Sequence, residues 1–155
     1  MSKTNAMRIL DKQKIPYNMY SYDPKDGLID GISVAKKIGK DVKEVYKTLV
    51  GKGKHQVYVF IISVDKELDL KKAAEVANEK KIELVHVKDI MKLTGYIRGG
   101  CSPIGMKKLY PSFIQEDSLN LENIIVSAGK IGLQIQLDPK DLANEIQGKF
   151  VDIIK

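Results

Sequence analysis

The chain of 155 residues has one cysteine, two histidines and no tryptophan. With Cys101 alone, an internal disulfide framework is excluded, and so is a CxxC redox or zinc motif. His55 falls in a basic turn and His86 in a predicted strand, and neither sits in a pattern such as HExxH. A metal site would have to rest mostly on carboxylates, so no metal and no cofactor is expected. No apolar run approaches the length that spans a bilayer. The opening MSKTNAMRILDKQK lacks the continuous apolar stretch of a signal peptide. These absences lead to the expectation of a cytoplasmic protein without a membrane partner.

Apolar residues make up 43% of the chain and charged residues 30%, the mixture of a globular domain with one core. No linker, repeat or low-complexity segment divides it, so residues 1–155 read as a single domain. The net charge of +6 fits either a polyanionic partner or plain solubility. Lys36, Lys37, Lys40, Lys43, Lys47, Lys52 and Lys54 fall in one short span, offset by Asp41 and Glu44. Arg98, Lys107 and Lys108 form a second group. Brought together by the fold they would suit a phosphate backbone; kept apart they are solvated faces.

Helical spacing of Ala6, Ile9 and Leu10 behind a Thr4 or Asn5 cap predicts a first helix. YNMYSY reads as a strand and DPKDGLIDG as a loop. SVAKKIG is a short helix closed by Gly39. YKTLV and QVYVFIISV, joined by GKGKH, read as an antiparallel hairpin. DLKKAAEVANEK is a helix, IELVHV a strand and DIMKL a short helix. SFIQEDSLNLEN reads as mostly loop. IIVSAG and IGLQIQL are strands joined around Gly129 and Lys130. PKDLANEIQ is a last helix and FVDII a short tail strand. Helices and strands mix without regular βαβ units, which favours an α+β domain.

The segment GYIRGGCSPIGMKKLYP, residues 95–111, concentrates four glycines and two prolines with Cys101, Arg98, Lys107 and Lys108. It matches neither GxxxxGK[ST] nor GxGxxG. Gly99 and Gly100 lack a Cβ, so backbone there can approach a ligand closely, while Pro103 restricts Ser102 before it. Such a loop can aim backbone N–H groups at a carbonyl or ribose oxygen, or serve simply as a tight turn. Nothing brings Cys101 near a histidine, and its plainer reading is a small buried filler. SAGKIG, residues 127–132, is a second loop of small residues, fit for a pocket wall or a hairpin turn. Lys47, on a predicted strand, points firmly and can anchor a phosphate or a ribose hydroxyl, or face solvent.

KTNAMRILD, VYKTLV, LDLKKAA, TGYIRGGCSPIGMKK and SAGKIGLQI closely resemble the bacterial YbaK/EbsC family. Its members are free-standing relatives of the editing domain inserted in prolyl-tRNA synthetases. The resemblance covers essentially the whole chain. It implies an α+β fold with a mixed, largely antiparallel sheet curled into a partial barrel with peripheral helices. It implies a trans-editing deacylase that removes cysteine from tRNA(Pro), together with aminoacyl-tRNA and prolyl-tRNA synthetase as partners. The family's functional lysine matches Lys47, followed by Thr48. Its glycine-proline loop matches Gly99, Gly100, Ser102 and Pro103, its pocket serine Ser127 and its pocket tyrosine Tyr20. Gly129 joins Ser127 as a small pocket-limiting residue. Gln134 departs from the pattern, standing where enterobacterial members carry Asp; a neutral amide there still accepts a hydrogen bond. Lys52, Lys54, Arg98, Lys107 and Lys108 are the expected contacts to the acceptor stem.

An aminoacyl ester is already activated, and no strong enzymatic nucleophile is evident. The favoured chemistry is therefore substrate-assisted, the cysteine thiol attacking its own ester while Lys47 and the amides near Gly99 and Gly100 place the reacting centre. An alanine-specific deacylase of the sister branch and a non-catalytic tRNA-binding module are the alternatives.

Overall fold

The protein is described by a computed structural model covering residues 2–155. Its helices are α1 (Asn5–Lys12), α2 (Gly31–Lys37), α3 (Leu70–Val76), α4 (Val87–Thr94) and α5 (Pro139–Ile146). Its strands are β1 (Asn18–Ser21), β2 (Tyr46–Lys52), β3 (Val57–Ser63), β4 (Glu83–Leu84), β5 (Ser112–Gln115), β6 (Ile124–Ser127), β7 (Leu133–Leu137) and β8 (Lys149–Val151). The fold is α+β, with a mixed sheet and peripheral helices.

Pairing divides the strands into a three-stranded sheet, β1-β7-β6, and a five-stranded one, β4-β2-β3-β5-β8. The expected β2–β3 hairpin is antiparallel, pairing Lys47 with Ile62 and Lys52 with Val57. β3 is apolar at nearly every position because both of its faces are covered. Val59 and Ile61 enter a core with Met7 and Leu10 of α1 and Leu142 of α5. Tyr58, Phe60 and Ile62 pack with Ala73 and Ala74 of α3 and with Phe113. Each large side chain buried in this way contributes roughly 1.5–3 kcal/mol.

The two sheets meet at the start of β2. Val45 forms a parallel bridge with Ile125, and the Ile125 N–H donates to Glu44 O at 2.9 Å. A small core of Ala35, Val45, Val64 and Ile125 fills the junction beneath α2. This seam puts Lys47 and Thr48 of β2 beside Ser127 of β6 and its cross-strand partner Gln134.

Some sequence expectations need correction. SFIQ is not loop: it is β5, buried throughout and parallel to β3, with β8 parallel to it in turn. The sheet is therefore more parallel than expected. Gln115 hid this strand, since a buried amide is costly unless satisfied. Here Nε2 donates to Asp117 Oδ1 at 2.7 Å and Asp152 Oδ1 at 3.2 Å, and Oε1 accepts the Ile153 N–H at 2.7 Å. IELVHV supplies only the two residues of β4, because α4 begins at Val87 with His86 as its N-cap. α3 stops at Val76, and Asn78 follows in the left-handed region at φ 57°. No helix among the described residues is long and apolar enough to cross a membrane.

Candidate functional site

A cleft of about 740 Å³ opens at the seam between the sheets. That volume suits a ligand of aminoacyl-nucleoside size. β2 contributes Tyr46, Lys47, Thr48 and Leu49, and the glycine loop contributes Arg98, Gly99 and Cys101. Ser127 and Gln134 come from the small sheet. Residues distant in sequence thus converge: Lys47, Thr48, Arg98, Gly99, Ser127 and Gln134 line one recess.

Among the described residues, no carboxylate stands within 4.0 Å of the Lys47 ammonium. Next along the strand, the Thr48 Oγ1 is fully buried and has no hydrogen-bond partner. Leaving a hydroxyl in that state costs about 1–3 kcal/mol. Ser127 Oγ accepts the Gly129 N–H at 3.2 Å, which leaves its own proton to donate. Gln134 is only 6% exposed.

The two small-residue loops are packed backbone to backbone. A Cβ on Gly100 would stand 2.9 Å from Ile131 N, and one on Gly129 would stand 2.8 Å from Tyr96 Cε1. Gly100 is therefore a packing glycine, and its N–H already donates to Ile97 O at 3.0 Å. The amide expected to polarise a carbonyl is engaged in the turn. Gly99 lies on the cleft at φ 86°, a conformation that costs other residues about 1–2 kcal/mol. Ser102 is fully buried, and its Oγ accepts the Ile104 N–H at 3.2 Å. Pro103 and Lys108 line a different cleft, of about 180 Å³.

Tyr20 lies opposite Gln134 across the β1–β7 pair. Its hydroxyl donates to Gln136 Oε1 at 3.4 Å, and the Lys40 ammonium stands 5.3 Å from its ring centre. It stands next to the cleft lining. Lys52 and Lys54 line a third cleft with Lys80, Lys81, Glu79 and Glu83. Lys107 Nζ donates to Lys92 O at 3.2 Å. The five expected stem contacts are thus scattered, Lys52 and Lys54 at one cleft, Lys108 at another and Lys107 at neither, and Arg98 alone joins Lys47.

The recess holds no evident protein nucleophile. Burial pushes the Cys101 thiol up to about 11, against a smaller opposing effect of the Thr94 hydroxyl, so it stays protonated at neutral pH. Burial likewise pushes the Tyr46 phenol up to about 12. Asp30 is committed to the N-terminus of α2, with Oδ2 accepting the Ser33 N–H at 3.1 Å and Oδ1 the Ser33 hydroxyl at 2.6 Å. No group of three His, Cys, Asp or Glu among the described residues is placed to hold a metal ion.

The profile of the "Aminoacyl-tRNA editing domain" matches residues 31–145, most of the chain. A curated protein of Enterococcus faecalis (strain ATCC 700802 / V583), "Putative Cys-tRNA(Pro)/Cys-tRNA(Cys) deacylase EbsC", is 44% identical over 152 residues. The match takes in 97% of this chain and 93% of that one. The chain belongs to the aminoacyl-tRNA editing family. Solved structures show the same fold at low identity. A "putative trans-editing enzyme for prolyl tRNA synthetase" superposes with a TM-score of 0.85 at 21% identity, covering 99% of both chains. The protein APE2540 gives 0.87 at 18% identity, over 96% of this chain and 98% of that one.

Within this editing domain, one whole wall of the cleft was missed in the sequence. Gly27, Ile29, Asp30, Gly31 and Ile32 line it, with Ile29 reaching the glycine loop at Gly99. Two signals were available. Asp30 followed by Ser33 is a helix start, and a glycine follows Asp30 directly; the structure shows why, since a Cβ on Gly31 would meet Val64 Cγ1 at 2.3 Å. Cys101 also lines the cleft, where a core filler was expected.

Proposed function

We propose that this chain is a trans-acting deacylase that releases cysteine from mischarged tRNA(Pro), working as a single domain in the cytoplasm. The observation that carries this is the 44% identity, over nearly both full lengths, to the Enterococcus protein whose name joins cysteine to two tRNAs. One amino acid with two tRNAs favours recognition of the aminoacyl group over the tRNA body. Prolyl-tRNA synthetase would then supply the tRNA identity. Lys52, Lys54, Arg98, Lys107 and Lys108 would touch acceptor-stem phosphates, contacts that position without specifying sequence. In the same reading the two sheets, joined at Val45 and Ile125, act as one partial barrel around the cleft.

The substrate brings its own nucleophile. Its thiolate sulfur attacks its ester carbonyl carbon, the bond from that carbon to the ribose oxygen breaks, and a cyclic thiolactone leaves. The proton lost by the thiol ends on the ribose hydroxyl. The protein supplies placement and electrostatics. The Lys47 ammonium holds the terminal ribose or phosphate and favours the developing negative charge. Thr48 Oγ1 and Ser127 Oγ donate to ester or ribose oxygens. Gly99 lets the loop backbone approach, Gln134 and Tyr20 close the aminoacyl side, and Gly100, Ser102, Pro103 and Gly129 hold the two loops in register.

Release from cysteinyl- and alanyl-tRNA(Pro), measured at equal concentration, tests the choice of amino acid. Cysteine is expected to leave about 100-fold faster, because alanine fits the same recess but brings no thiol to attack its ester. Equal or faster loss of alanine would assign the chain to the alanine branch instead.

A further inference from the structure

The wall formed by residues 27–32 is held by a lysine that does not line the cleft. Lys37, in the last turn of α2, reaches back over the loop that precedes its own helix. Its ammonium donates to Asp23 O at 2.8 Å, Asp26 Oδ1 at 2.7 Å and Leu28 O at 2.9 Å. These acceptors take all three donors of the ammonium group. An exposed ion pair with Asp26 alone would fix little. Two carbonyls on either side of that carboxylate convert the pair into a clamp spanning the loop. Only 21% of the Lys37 side chain is exposed, and its ammonium stands 5.6 Å from the centre of the Tyr22 ring.

The clamped loop reaches the opposite side of the cleft. Within it the Gly27 N–H donates to Pro24 O at 3.0 Å, the Leu28 N–H to Asp26 Oδ1 at 3.0 Å and the Ile29 N–H to Gly27 O at 3.1 Å. Ile29 then extends to the glycine loop: a Cβ on Gly99 would meet its Cδ1 at 2.8 Å. Ile29 therefore closes one end of the cleft against the glycine loop, and its position sets how much of the recess stays open. We propose that Lys37 is a positioning residue that fixes the width of the cleft, and with it the size of the aminoacyl group admitted. This rests on the editing reading above and names a determinant of its specificity.

Lys37→Met keeps the length and apolar stem of the side chain and removes the three donors; Lys37→Arg keeps donors. In Lys37→Met, KM for cysteinyl-tRNA(Pro) is expected to rise about tenfold with kcat within about twofold, the signature of displaced binding surface. Enzyme-dependent release from homocysteinyl-tRNA(Pro), which also bears a thiol but one more methylene, should gain about tenfold relative to cysteine. Lys37→Arg should restore most of both. Amide hydrogen exchange at Gly27, Leu28 and Ile29 should quicken in Lys37→Met and not in Lys37→Arg. Lys72→Met, which breaks an ion pair to Asp152 at 2.9 Å away from the cleft lining, is the control for a general loss of stability. The proposal is overturned if Lys37→Met leaves KM and the homocysteine ratio unchanged, or if Lys72→Met reproduces its effects. Unchanged exchange overturns the clamp even with editing activity intact. Absence of cysteine release by the wild-type protein overturns the editing reading on which the proposal rests, with the clamp still visible by exchange.

Discussion

The two ends of β2 carry lysines whose polar neighbours differ in how far they are satisfied. At the hairpin end, Lys52 and Lys54 share a cleft with Lys80, Lys81, Glu79 and Glu83. Polar groups there satisfy one another. Glu79 accepts the Tyr58 hydroxyl at 2.6 Å and the Lys54 N–H at 3.2 Å, while Lys81 pairs with Glu83 at 2.8 Å. The Tyr58 hydrogen bond holds the Glu79 carboxyl below its usual range, and Lys81 does the same for Glu83. At the seam end, no carboxylate among the described residues stands within 4.0 Å of the Lys47 ammonium, whose charge is felt only at a distance by Glu67, and the buried Thr48 hydroxyl has no hydrogen-bond partner. A count of charges ranks the hairpin end higher. A count of unsatisfied groups ranks the seam end higher, and a buried polar group without a partner calls for a role.

The widest separation between the two ends is expected from alanine substitution. Lys47→Ala should lower kcat/KM for cysteinyl-tRNA(Pro) about 100-fold, the loss typical of one preorganised donor to a developing charge. Lys52→Ala should change it by less than about twofold at moderate salt, as a solvated cation does. Equal losses at both ends would dissolve the distinction.

A smaller effect with two signs is expected at Thr48. Thr48→Val keeps the shape and removes the orphan hydroxyl. The fold should be unchanged or more stable by up to about 1 kcal/mol, since no protein hydrogen bond is lost. kcat/KM should fall about tenfold, because the ligand loses its donor. A drop in melting temperature with full activity would mean that the hydroxyl serves the fold and that the seam end is as self-satisfied as the hairpin end.

Much of this site was legible because its parts lie in short distinctive segments. Lys47 with Thr48, Ser127 and Gln134 could each be picked out, and the seam between the sheets brings them together. Two kinds of information were not local. The loop at 27–32 becomes a wall only because α2 returns Lys37 to it and because Ile29 meets Gly99. The N–H of Gly100 reads as a free donor in sequence, but the turn from Ile97 engages it. In the fold, the β2–β3 hairpin announced itself through its run of β-branched and aromatic residues and its turn. β5 did not, because its parallel partner lies some fifty positions earlier and its Gln115 is satisfied by residues far along the chain. The basic clusters were legible as clusters, though not their scatter over separate parts of the surface.

Replacing sulfur by oxygen in the substrate tests the central claim most directly, because the recess then keeps every protein group and loses only the proposed nucleophile. Cysteinyl- and seryl-tRNA(Pro) are nearly the same size, and the wild-type protein can be given each in turn while the freed amino acid is followed over time. The expected result is release of cysteine well above the spontaneous rate, with serine left close to that rate. Release of serine as fast as cysteine would contradict it and assign the attack to water held by the protein.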